Sequence, residues 1–481
     1  MPQTKISSHE IPLCVDLDGT LIYTDLLYET FLQAIKKRPL LLILLPLWYF
    51  KFGLSYVKKK LLDYAHIEAE SLPYNYPLIN YLKRKKTEGT RLILVTGSHI
   101  LLAHKVANHL NLFDEVYGTE DNNLTGSNKA QFLIKQFGSH RFDYIGNELK
   151  DLIIWQSSRK ALLANASPHL RKKLANKIVF DAEFSPIFSS LGHTLKAIRI
   201  HQWAKNALIF VPIITSHQIF NPKSILFSLL AFIAFSCCAS ATYILNDALD
   251  LAADRKHRSK RFRPFASGKV SLEQGFLIAM SLGLLTLLIA TQMPALFNLA
   301  LISYTMGTLL YSFALKQFDS IDVICLTSLY TVRVIAGAFA IEVPLSFWLL
   351  AFSMFLFLCL GIVKRVSELK NLEKVNASKA RGRGYSVSDI NVLKSLGTSS
   401  GYIAVLVFAL YINSSQTGHI YKSPIILWLL CPLLLYWITR VWMLTARSEM
   451  DEDPIVFAIQ DKTSWIIIIL SAILLVLAKY V

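Results

Sequence analysis

The run Asn246-Asp247-Ala248-Leu249-Asp250-Leu251-Ala252-Ala253-Asp254 closes an uncharged apolar stretch extending from Ile225 to Leu245. On a helix, Asp247, Asp250 and Asp254 share one face. Three carboxylates held that close repel one another at neutral pH unless a cation stands among them. Oxygen donors select hard cations, Mg²⁺ first, and protein-bound Mg²⁺ commonly bridges carboxylates to the phosphates of a substrate. The position at the end of an apolar run adds a second constraint: the phosphorylated substrate is met at a lipid surface.

The elements that position these residues belong in a membrane. The chain has 481 residues, 53% of them hydrophobic, and a mean hydropathy of +0.42. Residues 1–200 have the make-up of a globular domain, whereas 205–481 carry repeated apolar runs. A globular head followed by a polytopic body in the lipid bilayer is therefore expected. Candidate spans fall near 206–220, 224–245, 272–291, 294–313, 321–340, 346–363, 397–413, 423–444 and 464–480, about nine in all. The six cysteines lack metal-site spacing and read as reduced core residues. Residues 1–11 are polar, so no cleavable signal peptide is expected.

Charge sets the expected orientation. Arg255, Lys256, Arg258, Lys260, Arg261, Arg263 and Lys269 crowd one loop; Lys364, Arg365, Lys370, Lys374, Lys379, Arg381, Arg383 and Lys394 crowd another. The alternate loops are nearly free of Lys and Arg. The positive-inside rule makes the basic loops and the head cytoplasmic and puts the C-terminus outside. The formal charge of +17 is thus topology signal and phosphate-binding capacity, and no nucleic-acid partner is expected. Asp319, Asp322, Asp451, Asp453 and Asp461 fall on the same side. Arg333 lies within a span, where a guanidinium is costly unless it faces a polar cavity. Ala336-Gly337-Ala338 reads as helix packing, and Trp442 and Trp465 as interfacial belt residues.

The segment NDALDLAADRKHRSKRFRPFASG resembles the first aspartate-rich motif of the UbiA superfamily of intramembrane prenyltransferases, and Asp319-Ser-Ile-Asp322 resembles the second. The resemblance covers roughly 195–481 and implies an all-α bundle whose cavity opens to the cytoplasm and laterally to lipid, with Mg²⁺ and a diphosphate held by the two motifs. RIHQWAKN, YSFALK, YTVRVIAGA, KRVSEL and DEDPIVFAIQD are similar to the decaprenyl-phosphate phosphoribosyltransferase branch, with Ile200 and Arg258 standing where that branch usually has proline. This implies a polyprenyl phosphate acceptor and a phosphoribosyl diphosphate donor. Asp247, Asp250 and Asp254 would bind Mg²⁺ and orient the leaving diphosphate, with Asp322 and Asp319 completing the metal site. Lys316, Arg333, Lys364 and Arg365 would hold phosphate oxygens. Arg255, Lys256, Lys260, Arg261 and Arg263 would grip the 5-phosphate or the lipid phosphate, and Asn246 would orient an aspartate or the leaving group.

In the head, Ile11 to Val15 runs into Asp16-Leu17-Asp18-Gly19-Thr20, and Arg91 to Val95 into Thr96-Gly97-Ser98. Gly126-Ser-Asn-Lys129 and Asp143-Tyr-Ile-Gly146-Asn147-Glu-Leu-Lys-Asp151 follow. These four segments resemble motifs I to IV of haloacid-dehalogenase-like phosphatases. The resemblance implies an α/β fold over 1–160 with a helical cap over about 21–90, a linker and interfacial helix at 161–195, and the membrane domain from 196. It makes Asp16 the nucleophile and Asp18 the acid–base, with Thr96 and Lys129 on the phosphoryl oxygens. Mg²⁺ would sit on Asp16, Asp18 and Asp151, with Asn147 replacing the first acidic residue usual in motif IV. Pro39 to Phe50 is apolar but short for a span, and suits the cap core or a membrane-contacting patch.

The leading expectation is phosphoribose transfer to polyprenyl phosphate by the body, and removal of the 5-phosphate by the head. Two rivals stay open. One is attachment of a polyprenyl diphosphate to an aromatic acceptor such as 4-hydroxybenzoate. The other is a non-catalytic lipid-binding or transport protein.

Overall fold

A computed structural model describes residues 11–184, 191–257, 259–374, 383–450 and 453–481. Arg258, Lys379, Arg381 and Asp451, which entered the charge pattern above, lie outside the described residues. The chain forms two compact units, residues 1–198 with 244–278, and residues 199–243 with 279–481. The aspartate-rich segment therefore belongs to the same unit as the head.

The first unit is built on six parallel strands, β1 (Leu13–Val15), β2 (Leu92–His99), β3 (Glu115–Thr119), β4 (Asp143–Gly146), β5 (Ala161–Ala164) and β6 (Ala182–Phe184). They lie in the order β3-β2-β1-β4-β5-β6. Side chains alternate between two cores. Leu13, Val15, Leu92, Leu94, Ile145 and Leu162 pack on one face, and Cys14, Ile93, Val95, Tyr144, Ala161 and Leu163 on the other. A sheet covered on both faces explains why these strands read as continuous apolar runs. The order reverses direction at β1, so the crevice at the carboxyl ends of β1, β2 and β4 is where a ligand is expected in such a sheet. The sheet also continues past residue 160: β5 and β6 fall in the stretch read from sequence as linker. Strands of three or four residues are too short for periodicity to distinguish from loop.

The cap carries two helices that matter to both sites. Helix α1 (Leu26–Lys37) starts at Asp25, whose side chain accepts from the Leu27 amide at 2.7 Å. Helix α2 (Leu41–Leu62) breaks at Gly53, where φ is 79° and ψ is 177°, a conformation essentially reserved for glycine. The apolar part before the break spans about 18 Å at helical rise, short of the roughly 30 Å of a bilayer core. It is nevertheless bare: Ile43, Leu47 and Phe50 are 68%, 61% and 85% exposed.

Among the described residues, nine helices are long and apolar enough to cross a membrane, α2 being one by length and composition. The others, from Pro222–Leu249 to Lys462–Tyr480, coincide with the expected spans beyond 220. The segment expected as a span at 206–220 differs. It folds as a 3₁₀ stretch, Ile200–Phe210, and a short helix, Val211–Thr215. In the second unit this segment presses on the helix Ile321–Ala340: a Cβ on Gly337 would lie 2.2 Å from the Ile209 carbonyl oxygen. Ala336-Gly337-Ala338 is thus a packing site, as its small side chains predict. Trp442 is not a belt residue. It is buried against Gly397, where a Cβ would meet its ring at 2.3 Å. Trp465 is half exposed.

Candidate functional site

In the head, β1 delivers Asp16 and Asp18 to the carboxyl edge of the sheet. Asp16 Oδ1 accepts from Lys129 Nζ at 2.8 Å and from the Leu17 amide at 2.9 Å. Lys129 also donates to the Tyr144 hydroxyl at 3.3 Å, which donates to Asp151 Oδ1 at 3.1 Å. Asp151 Oδ2 accepts from the amides of Asn147 and Glu148, both at 3.0 Å. Asp18 Oδ2 accepts from Thr96 Oγ1 at 3.0 Å and Ser98 Oγ at 2.7 Å, while its Oδ1 accepts from the Leu26 amide that opens α1, at 2.9 Å. Asn147 Oδ1 accepts from Thr20 Oγ1 at 3.1 Å.

Burial pushes Asp16 up to about 7 in spite of Lys129, with Asp151 and Asp18 adding repulsion. Burial, then Asp25, pushes Asp18 up to about 6 against its three hydrogen bonds. Asp18, fixed by Thr96, Ser98 and the Leu26 amide, is held in the geometry a general acid needs. Asp16 and Asp151 form an oxygen donor set whose mutual repulsion a hard cation would relieve, and Asn147 offers a neutral oxygen beside them.

The aspartate-rich segment lies in the same unit. The helix Pro222–Leu249 ends beside Asp250, and a short helix, Leu251–Lys256, continues. Asp247 and Asp254 are buried together: Arg263 Nη1 donates to Asp247 Oδ1 at 3.1 Å and to Asp254 Oδ2 at 2.7 Å. Two carboxylates converging on one cationic nitrogen form an oxygen pair that suits Mg²⁺. Asp250 diverges, its Oδ1 accepting from Lys36 Nζ of α1 at 2.6 Å. Lys36 also donates to the Leu249 carbonyl at 3.0 Å. Arg255 turns inward, forming a bidentate pair with Glu29 of α1 at 2.9 and 2.7 Å. Lys256 pairs with Glu68, whereas Lys260 and Arg261 stand exposed and Asn246 is half-buried.

The Arg255 and Glu29 side chains are only 5% and 3% exposed. Cutting one partner leaves a buried charge alone, so Glu29→Ala is expected to destabilise this unit by roughly 3–5 kcal/mol. Thermal melting of the full chain checks it, and Arg255→Met added to Glu29→Ala should restore part of the loss.

In the second unit Asp322 and Asp319 separate. Asp322 is fully buried and accepts from Arg365, from the Tyr311 hydroxyl at 2.9 Å and from Arg383 Nη1 at 3.1 Å. Asp319 is exposed and Lys316 half-buried. Arg365 also pairs with Glu368 at 2.6 Å. Lys205 and Lys364 share Asp453, at 2.5 and 3.3 Å. Arg333 is enclosed by Asn206 Oδ1 at 2.8 Å and the Tyr304 hydroxyl at 3.0 Å. Sequence reasoning missed Glu29, Lys36, Ser98, Tyr144, Tyr311, Glu368 and Arg383 as partners; Ser98, two residues after Thr96, and Glu368, three after Arg365, carried a local signal, whereas Glu29, Lys36 and Arg383 reach their partners from distant segments.

The model of the UbiA prenyltransferase family matches residues 207–478. The chain belongs to that family. Residues 13–132 match haloacid dehalogenase-like hydrolases, so this UbiA member is an enzyme with a hydrolase-like domain at its head. It is a multi-pass membrane protein. An uncharacterized protein of Sinorhizobium fredii, y4nM, is 34% identical over 95% of this chain and 89% of its own length. A decaprenyl-phosphate phosphoribosyltransferase of Mycobacterium tuberculosis is 32% identical over 48% of this chain and 77% of its own. A solved UbiA homolog from Archaeoglobus fulgidus, bound to GPP and Mg²⁺, aligns at 16% identity over 59% of this chain and 99% of its own, with a TM-score of 0.46.

Proposed function

We propose that the UbiA domain transfers 5-phosphoribose from phosphoribosyl diphosphate to a polyprenyl phosphate, at the cytoplasmic side of a bacterial inner membrane, and that the head removes the 5-phosphate from the product. The observation carrying this reading is the cationic surplus among the described residues of the second unit. Lys205, Arg333, Lys364, Arg365 and Arg383 are buried or half-buried there, against Asp322, Glu368 and Asp453. Excess buried cation is costly unless an anion enters. A phosphorylated acceptor supplies one; an aromatic acid needs far fewer donors. The M. tuberculosis relative's name points the same way.

In the transfer, a phosphate oxygen of the lipid attacks ribose C1 and the bond from C1 to the diphosphate oxygen breaks. The nucleophile is already anionic, so no strong base is required. Asp247 and Asp254 would hold Mg²⁺, which when bound neutralises the departing diphosphate, while Asp250, expected from sequence as a third ligand, is turned toward Lys36. Asp322, Glu368 and the Tyr311 hydroxyl occupy all three nitrogens of the buried Arg365, which locks that cluster, and Arg383, part-exposed beside it, is the guanidinium left to meet phosphate oxygens. Lys205 and Lys364 act as point charges, their approach limited by the shared Asp453. Asp319 and Lys316 have no assigned step in this scheme.

In the head, the Asp16 carboxylate attacks phosphorus while Asp18 protonates the departing ribose oxygen; Asp18 then takes a proton from the water that cleaves the aspartyl phosphate. Lys129 holds Asp16 and the transferring oxygens. Thr96 and Ser98 orient Asp18. Asp16 and Asp151, with Asn147, would hold Mg²⁺.

Mass spectrometry of lipids formed by the purified protein tests the scheme. Polyprenyl phosphate, phosphoribosyl diphosphate and Mg²⁺ should yield a phosphoribosylated lipid that then loses one phosphate. Product formed only from polyprenyl diphosphate and 4-hydroxybenzoate would overturn it.

A further inference from the structure

Helices α1 and α2 enclose a groove of about 510 Å³ in the first unit, walled by Leu27, Phe31, Leu45, Tyr49, Val57 and Phe276 among others. Its two ends differ. At the outer end α2 presents Ile43, Leu47 and Phe50, all exposed, with the Phe50 ring edge-on to Tyr49 at 5.6 Å. At the inner end the same two helices reach the phosphatase-like site. The Leu26 amide, one residue before the groove wall, donates to Asp18. Lys58, one residue after Val57, is buried and donates to the Gly97 carbonyl at 2.6 Å and to Asn123 at 2.7 Å. The Tyr28 phenol lines the groove and is raised by burial, with Glu273, Asp25 and Glu148 adding to it.

We propose that this groove binds the isoprenoid tail of a lipid-linked phosphate monoester and presents its phosphate to Asp16. The inference rests on the phosphatase reading of the head and names what selects its substrate. A cleft that is apolar along its length, opens on a bare apolar helix and ends within one helical turn of an acid–base carboxylate fits an amphiphile of one polarity: greasy tail outward, phosphate inward. Beyond the inner end, Lys129 on Asp16 and Lys58 on the Gly97 carbonyl place positive charge at the phosphatase-like site, where an anionic head group would arrive. A free sugar phosphate uses none of the groove. The abundant bilayer phospholipids, phosphatidylglycerol among them, are phosphodiesters and present no terminal phosphate to an aspartyl nucleophile. Burial of a few isoprene units would raise kcat/KM for the lipid-linked monoester at least about a hundredfold over the free sugar phosphate.

The test uses the full chain in detergent and a polyprenyl phosphate carrying a photoreactive group near the phosphate end. Illumination should label peptides of α1 and α2. Unlabelled polyprenyl phosphate should reduce the labelling at least tenfold, and phosphatidylglycerol should not. Leu54→Trp, and separately Phe276→Trp, should cut labelling severalfold while the melting temperature holds. No labelling of the cap, or equal competition by phosphatidylglycerol, would overturn the proposal and leave a plain bilayer contact. A parallel assay follows phosphate release from the phosphoribosylated lipid. Specific labelling without release would sink the phosphatase reading and leave the lipid site standing.

Discussion

Asp247→Ala is expected to reduce diphosphate release by the full-length protein on the order of a thousandfold. Asp247 is 3% exposed and meets Asp254 across one guanidinium nitrogen of Arg263. Its loss removes one of two converging carboxylates and leaves Arg263 paired with Asp254 alone, an arrangement that no longer attracts a divalent cation. Asp247→Asn keeps the shape and should fail almost as badly, which assigns the effect to charge. Asp250→Ala should cost less, because Asp250 turns toward Lys36. Steady-state diphosphate release against Mg²⁺ concentration reads all three. If Asp247→Ala kept a tenth of wild-type turnover, the metal role would be untenable.

The second large effect separates the two chemistries. Asp16→Asn should leave phosphoribosyl transfer intact and abolish removal of the 5-phosphate, so that the lipid product accumulates in its phosphorylated form. Asparagine preserves the contact with the Leu17 amide and a polar partner for Lys129. It removes the nucleophile, and losses of a covalent catalyst reach on the order of a millionfold in kcat. Lipid mass spectrometry distinguishes the two products by one phosphate. Equal dephosphorylation by wild type and Asp16→Asn would show that the head does not act on this product.

Features encoded by neighbours in the chain were legible in the sequence. The spans beyond residue 220 are long, uniform and bounded by charge, and the strands before Asp16 and Thr96 are continuous apolar runs. The interrupted segment at 200–215 was not, because apolar composition is the same whether a stretch is one helix or a 3₁₀ turn and a stub around Pro212. Nor was the full extent of α2. Its apolar half is short, and only the backbone at Gly53 reveals that a second, basic half continues to Leu62. The aspartate motifs announced themselves by spacing, but spacing does not say which carboxylate a distant cation claims. Arg365 and Arg383 reach Asp322 from far along the chain and leave Asp319 exposed. Lys36 and Glu29 arrive at the aspartate segment from more than two hundred residues away. Arg255 and Lys256, expected on substrate phosphate, are engaged by the cap instead.

The placement of residues 244–278 with the head has a consequence for how this protein comes apart. A cooperative unit is defined by shared burial, not by chain order. Amide exchange of Leu249 to Arg255 should therefore track that of β1 and α1, and mild heating or denaturant should loosen the aspartate segment together with the Glu29–Arg255 pair. Diphosphate chemistry would then fail at the midpoint of the soluble fold, while the lipid-embedded helices still give a full helical signal.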